Sequence, residues 1–140
     1  MRTDQDVALL VKRLQHRHHR ALTAALSDLG VSLVQWDTLR HLSRHPGASL
    51  HDLAVLTFQT DQSFGSLAAR MADRGLIERV PGPGRAVRHR LTPRGLELKE
   101  AGDVLVDRVI ARSFTPLSQD ERDQLGDLLT RLLDTPAWEE

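Results

Sequence analysis

The segment Pro81-Gly82-Pro83-Gly84 constrains this chain more than any other four residues. Proline fixes φ and lacks a backbone donor, so neither a helix nor a central strand can contain the segment. Leu76-Ile77-Glu78-Arg79-Val80 precedes it and Ala86-Val87-Arg88-His89-Arg90-Leu91 follows it. The pattern predicts a two-stranded hairpin with this segment at its tip. Upstream, Ser49 caps a short helix through Asp52, with Leu50, Leu53 and Ala54 inward. Thr60 opens a second helix running to Arg74, with Phe64, Leu67, Ala68 and Met71 inward and Gly75 closing it. Residues 49 to 92 therefore read as helix, tight turn, helix and hairpin.

Four further helices surround this unit. In the first, Val7, Leu10, Val11, Leu14, His18, Ala21, Ala25 and Leu29 fall on one stripe, and Gly30 is the expected C-cap. The second follows Ser32, buries Leu33, Trp36, Leu39 and Leu42, and stops before Pro46-Gly47. Thr92-Pro93 opens a long helix to about Ser113, and Pro116 breaks it. Ser118-Gln119-Asp120-Glu121 is a capping box for the last helix, whose apolar face is Leu125, Leu128, Leu129, Leu132 and Leu133. The expected fold is mainly α with a small β-hairpin wing. A single domain spans 1–140: a winged helix-turn-helix core at 31–92, flanked by helices in 1–30 and 93–140. The outer stripes need a partner, and burial against a second copy is the expectation.

A helix-turn-helix with a wing fits the DNA major groove. The charge distribution agrees. The formal net charge is zero, yet residues 60 to 94 hold seven Arg against Asp61, Asp73 and Glu78, a local balance of +4. Residues 95 to 140 carry −6. Phosphate binding needs local positive potential, not a basic whole. With 140 residues, 40% apolar, 27% charged and no Cys, a disulfide scaffold and a thiolate metal site are excluded. No apolar run reaches bilayer length and the N-terminus lacks a signal-peptide core, so a cytoplasmic location without membrane contact is expected. No Gly-rich phosphate loop, His-Glu-x-x-His helix or serine elbow occurs, so no enzyme is expected.

The chain resembles the MarR family of winged-helix transcriptional regulators over nearly its whole length. The residues that carry the resemblance are Gln35 to Leu42, Leu53-Ala54, Thr60 to Met71, Asp73 to Arg79 and Leu91-Thr92-Pro93-Arg94-Gly95. The family wing commonly pairs an Asp with an Arg two residues on; here Arg85 matches the Arg, but Pro83 stands at the Asp position and the wing is about two residues short. Phe58-Gln59 replaces the usual small and aliphatic pair in the turn. The resemblance implies a homodimer on an inverted-repeat operator, acting as a repressor and released by a small aromatic or anionic effector.

The expected DNA-binding residues are Thr60, Gln62, Ser63, Ser66 and Arg70 on the recognition helix, and Arg85 and Arg88 on the wing. Gln can pair with adenine, Arg with guanine and Ser with either; Thr60 and Ser63 are also suited to phosphates. The resemblance implies an effector pocket among the first, second and fifth helices, with Trp36 as apolar wall and His16, His19, Arg40 and His41 as polar candidates. Plain core packing is the competing account of Trp36. No cofactor and no metal ligand is assigned. The His16/His19 and His41/His45 pairs keep a metal- or pH-responsive alternative open, and a winged helix that contacts protein rather than DNA is a second alternative.

Overall fold

The computed structural model describes residues 1–82 and 84–135. In chain order these form α1 (Asp4–Ser27), α2 (Leu33–Arg44), α3 (Leu50–Leu56), α4 (Asp61–Asp73), β1 (Ile77–Val80), β2 (Arg88–Leu91), α5 (Pro93–Phe114) and α6 (Gln119–Leu133). The chain is thus mainly helical with one antiparallel hairpin, as its sequence leads one to expect. Pro83, the position where the wing departs from the family pattern, lies outside the described residues.

Each helix starts where a short polar side chain can satisfy the free N–H groups of the first turn. Ser32, Ser49 and Ser118 form reciprocal capping boxes with Gln35, Asp52 and Glu121. Thr60 accepts from the Ser63 N–H, and Thr92 accepts from the Gly95 N–H ahead of Pro93. The carboxyls of Asp52 and Glu121 titrate below the usual range, first because backbone N–H groups donate to them.

Two apolar clusters hold the molecule together. One joins α2, α3, α4 and the hairpin through Leu39, Leu42, Leu53, Phe64, Met71 and Leu76, all essentially inaccessible. The second joins α1, α2 and α5 through Leu26, Val31, Trp36 and Val106. Strands pair in the register Ile77 to Leu91 and Val80 to Arg88. An isolated bridge from Ser49 to Arg88, with the Leu50 N–H donating to the Val87 carbonyl at 2.8 Å, ties the hairpin to the start of α3.

Two details of α1 differ from the sequence expectation. Helix α1 ends at Ser27 with Asp28 as C-cap, not at Gly30. Gly30 adopts φ +67° inside the following turn, which sends the chain into α2. The inward residue at this end of α1 is Leu26, fully buried, whereas Val7, Leu10, Val11 and Leu14 are 39–47% exposed. The α6 stripe is uncovered within the single chain, in keeping with the expectation that the outer stripes need a partner: no described α6 residue is buried, and Leu132 and Leu133 are 61% and 82% exposed.

Candidate nucleic-acid interface

Helix α4 presents two unlike faces. Phe64, Leu67, Ala68 and Met71 are buried at the 3- and 4-residue spacing of one helix side. Gln62, Ser63, Ser66 and Arg70 are all exposed, as is Thr60 at the N-cap. These five polar residues therefore share an accessible surface. Two hydroxyls are already engaged within the helix start. Ser63 Oγ donates to Gln59 Oε1 at 3.0 Å and Ser66 Oγ donates to the Gln62 carbonyl at 3.3 Å. Each hydroxyl still has acceptor capacity, while Gln62 and Arg70 side chains have no protein partner among the described hydrogen bonds.

A residue pair that the sequence reading did not connect sits beside this face. His51, in the first turn of α3, and Asp61, first residue of α4, meet at 2.8 Å between Nδ1 and Oδ1. One oxygen of the Asp61 carboxylate is thereby engaged by His51. The hydrogen bond that His51 donates to Asp61, and then the charge of Asp61, raise the His51 pKa above the ordinary value of 6.5. When protonated, His51 offsets the negative charge of Asp61 at the start of α4. Ten residues separate the two, and the pairing needs the helix-turn-helix fold to exist.

The turn itself has a strained residue. Phe58 adopts φ +57°, the single non-glycine residue with positive φ among the described residues, and its side chain is 94% exposed. A left-handed conformation costs an L-residue about 1–2 kcal/mol. The Gln59 N–H donates to the Ala54 carbonyl at 2.8 Å and Thr57 Oγ1 donates to the Leu53 carbonyl at 2.7 Å, which hold the turn in this shape.

The two wing arginines are not equivalent. Arg85 is exposed near the hairpin tip. Arg88 is half-buried, and its guanidinium donates to the Gly47 carbonyl and lowers the nearby Asp52 carboxyl. Arg88 thus secures the hairpin to the α2–α3 turn instead of projecting from the wing, because the Ser49–Arg88 bridge draws its backbone into the core. Arg90 Nε pairs with Glu78 at 2.6 Å across the hairpin. His89, opposite Arg79, is buried, and desolvation first, then Arg79, lower its pKa.

The expected effector residues divide among several places. Trp36 is buried, and its Nε1 donates to Asp103 Oδ1 at 3.2 Å; Lys99 Nζ meets the other oxygen at 2.6 Å. The indole lies against Gly102 of α5, where any Cβ would collide with it. Trp36 and Arg40 line one cavity of about 390 Å³ together with Arg44, Lys99, Asp103, Val106 and Asp107. His41 instead faces Asp37 at 3.5 Å and stacks near His45. His16 lies in a shallow groove of α1 with Leu9 and Arg13, and His19 is exposed; neither lines the Trp36 cavity. The histidine of α1 that faces α5 is His18, whose Nε2 lies 2.6 Å from Ser113 Oγ. Among the described residues, no three His, Asp or Glu side chains are grouped to hold a metal ion. Nor is any described helix long and apolar enough to cross a membrane.

Comparison with known proteins gives a consistent result. A family model described as "MarR family" matches residues 29–86. The HTH-type transcriptional repressor Rv2887 of Mycobacterium tuberculosis is 30% identical over 131 residues, which cover 92% of this chain and 94% of that protein. The HTH-type transcriptional repressor Mb2911 of Mycobacterium bovis matches to the same extent. Among solved structures, M. tuberculosis MarR family protein Rv2887 in complex with salicylic acid superposes with TM-score 0.75 at 27% identity, covering 94% of this chain and 97% of that one. A mutant of MarR from E. coli complexed with operator DNA superposes with TM-score 0.81, covering 91% and 93%; at 22% identity this is a likeness of fold. By fold, by the α4 face and by similarity along nearly its whole length, this chain belongs to the MarR family.

Proposed function

We propose that this protein is a transcriptional repressor that binds an inverted-repeat operator in double-stranded DNA as a homodimer. The observation that carries the reading is the division of α4 into a buried apolar side and an exposed side offering Gln62, Ser66 and Arg70. Those side-chain types match adenine and guanine edges in the major groove. The local excess of arginine between residues 60 and 94 supports phosphate contact around the same surface. A two-fold pair of recognition helices about 34 Å apart would read successive major grooves on one side of the duplex. The uncovered leucines of α6 and the apolar N-terminal half of α1 suit the surface such a dimer would bury. Reading genomic DNA assigns its work to the cytoplasm.

A small aromatic acid is the effector class this reading favours. The Rv2887 relative has been solved with salicylic acid. In this chain the Trp36 cavity sets the cations Arg40, Arg44 and Lys99 against the carboxylates Asp103 and Asp107, an excess of positive charge, and its volume falls in the range of small-ligand sites. A ligand there would touch both α2 of the winged core and α5 of the outer helices. It would release DNA by favouring a spacing of recognition helices that does not fit the groove. The test is fluorescence anisotropy on a duplex from the promoter beside the protein's own gene, with and without salicylate. Saturable binding that salicylate weakens is expected. Absence of binding to that and to selected duplexes would remove the reading, and binding indifferent to salicylate would remove that effector class.

A further inference from the structure

We propose that Phe58, in the turn between α3 and α4, is a DNA-contacting specificity residue whose ring covers apolar DNA surface beside the recognition helix. The proposal rests on the DNA-binding reading above and adds to it a residue that the polar face of α4 does not include. Three observations carry it. The ring is 94% exposed, so it contributes almost no burial to the folded monomer. Its backbone sits at φ +57°, where glycine would be unstrained, so the conformation of the turn does not call for phenylalanine either. And the residue lies two positions before Thr60, the N-cap that starts the base-facing helix.

A large apolar side chain left open to water on a left-handed backbone is a candidate for contact outside the monomer. Most other exposed apolar residues lie on α1 and α6, far along the chain from this turn, while Val55, 59% exposed and three residues before Phe58, extends the apolar surface at this end of α3. Duplex DNA does offer apolar surface at the edge of the major groove: the 5-methyl group of thymine and the faces of the deoxyribose rings. The neighbouring contacts keep the ring available. Gln59 turns back to Ser63 and Thr57 to Leu53 and Ala54, so the polar groups of the turn are occupied and do not compete for the position.

The test uses a duplex enriched from random sequence by the wild-type protein, and compares wild type with Phe58→Gly and Phe58→Ala. Both variants should bind about tenfold more weakly, from loss of an aromatic contact. Phe58→Gly should melt no lower than wild type, because glycine is at ease at this φ; this separates lost contact from lost fold. Replacing thymines one at a time by deoxyuridine then identifies the source. A single position whose methyl loss weakens wild type but not Phe58→Ala assigns the contact to thymine, whereas equal effects on both proteins at every position assign it to deoxyribose. Variants that bind this duplex as tightly as wild type overturn the Phe58 assignment and leave the DNA-binding reading standing. Unchanged DNA affinity with an altered sedimentation coefficient assigns Phe58 to protein contact, which also overturns the proposal. Failure of the wild type itself to enrich any duplex overturns both.

Discussion

The winged core and the helical arms of this molecule are stabilised on different terms. From α2 to β2 the apolar residues that set the fold are covered: Leu39, Leu53, Ala54, Phe64 and Met71 are almost inaccessible within a single chain. In the arms, α6 buries none of its described residues, and the first half of α1 leaves Val7, Leu10, Val11 and Leu14 open. The polar surface of the core and the apolar surface of the arms are therefore the two unsatisfied parts of the molecule. The first suits DNA and the second suits another copy. On the proposed function, the contrast would separate reading from pairing: the core, braced by α1 and α5 through Trp36, carries the DNA-facing side, and the open faces of the arms orient it to a second copy.

The largest expected effect comes from the arms. Leu128→Glu with Leu132→Glu should convert a dimer to a monomer in sedimentation and lower operator affinity by roughly 10²–10⁴-fold, the range lost when linked sites act singly. The helical signal of the core should persist. A dimer that survives this pair of charges would break the contrast, because α6 would then have no part in pairing. The core should respond in the opposite manner. A Cβ on Gly95 would collide with the Leu76 carbonyl where β1 meets the start of α5. Gly95→Ala should therefore destabilise the fold by about 3 kcal/mol, the upper end for overpacking, measured by urea denaturation. An unaltered midpoint would mean that this junction yields easily and that the core is less rigid than its burial implies.

Two smaller effects sharpen what the core's surface does. Arg85→Ala should reduce the slope of log affinity against log salt by about one unit, the value for one lost phosphate contact, with oligomeric state unchanged. Arg88→Ala should differ: its guanidinium holds the hairpin to Gly47, so it should lower the melting temperature first. The smallest effect concerns pH. His51 has a raised pKa because Asp61 holds its proton, so the pair's favourable interaction is complete below 6.5 and fades as pH rises through the raised value. Operator affinity should decline over the same interval as Asp61 loses its compensating charge, and Asp61→Asn should flatten the profile. An equally steep profile in that variant would assign the pH response to another histidine. His89 acts with the opposite sign: its pKa is lowered by burial, so the stability it contributes is lost as pH falls from 6.5 towards that lowered value.

The sequence reveals local structure and hides contacts between distant segments. Helix starts at Ser32, Ser49, Thr60, Thr92 and Ser118 are legible because a cap acts on the three residues that follow it. The hairpin is legible because Pro and Gly admit few alternatives at its tip. The exposed side of α4 follows from its 3.6-residue period. The turning of Arg88 towards Gly47, 41 positions away, follows no local rule, nor does the pairing of His51 with Asp61. The histidines of α1 illustrate the same limit. Spacing places His16 and His19 within reach of one another, but the direction in which α1 packs decides that His18 faces α5 and that Trp36 lies in a different cavity. Phe58 is conspicuous in the sequence as a bulky residue in a turn, yet its left-handed backbone is visible only in the folded chain.

The most direct measurement is selection from random duplex DNA by the wild-type protein, repeated with Gln62→Ala, Ser66→Ala and Arg70→Ala combined. Enrichment of an inverted repeat with half-sites about 10 base pairs apart, lost in the triple variant while its melting temperature is kept, is the predicted result. Enrichment of no common sequence, or the same repeat recovered by the triple variant, would contradict the assignment of base reading to α4.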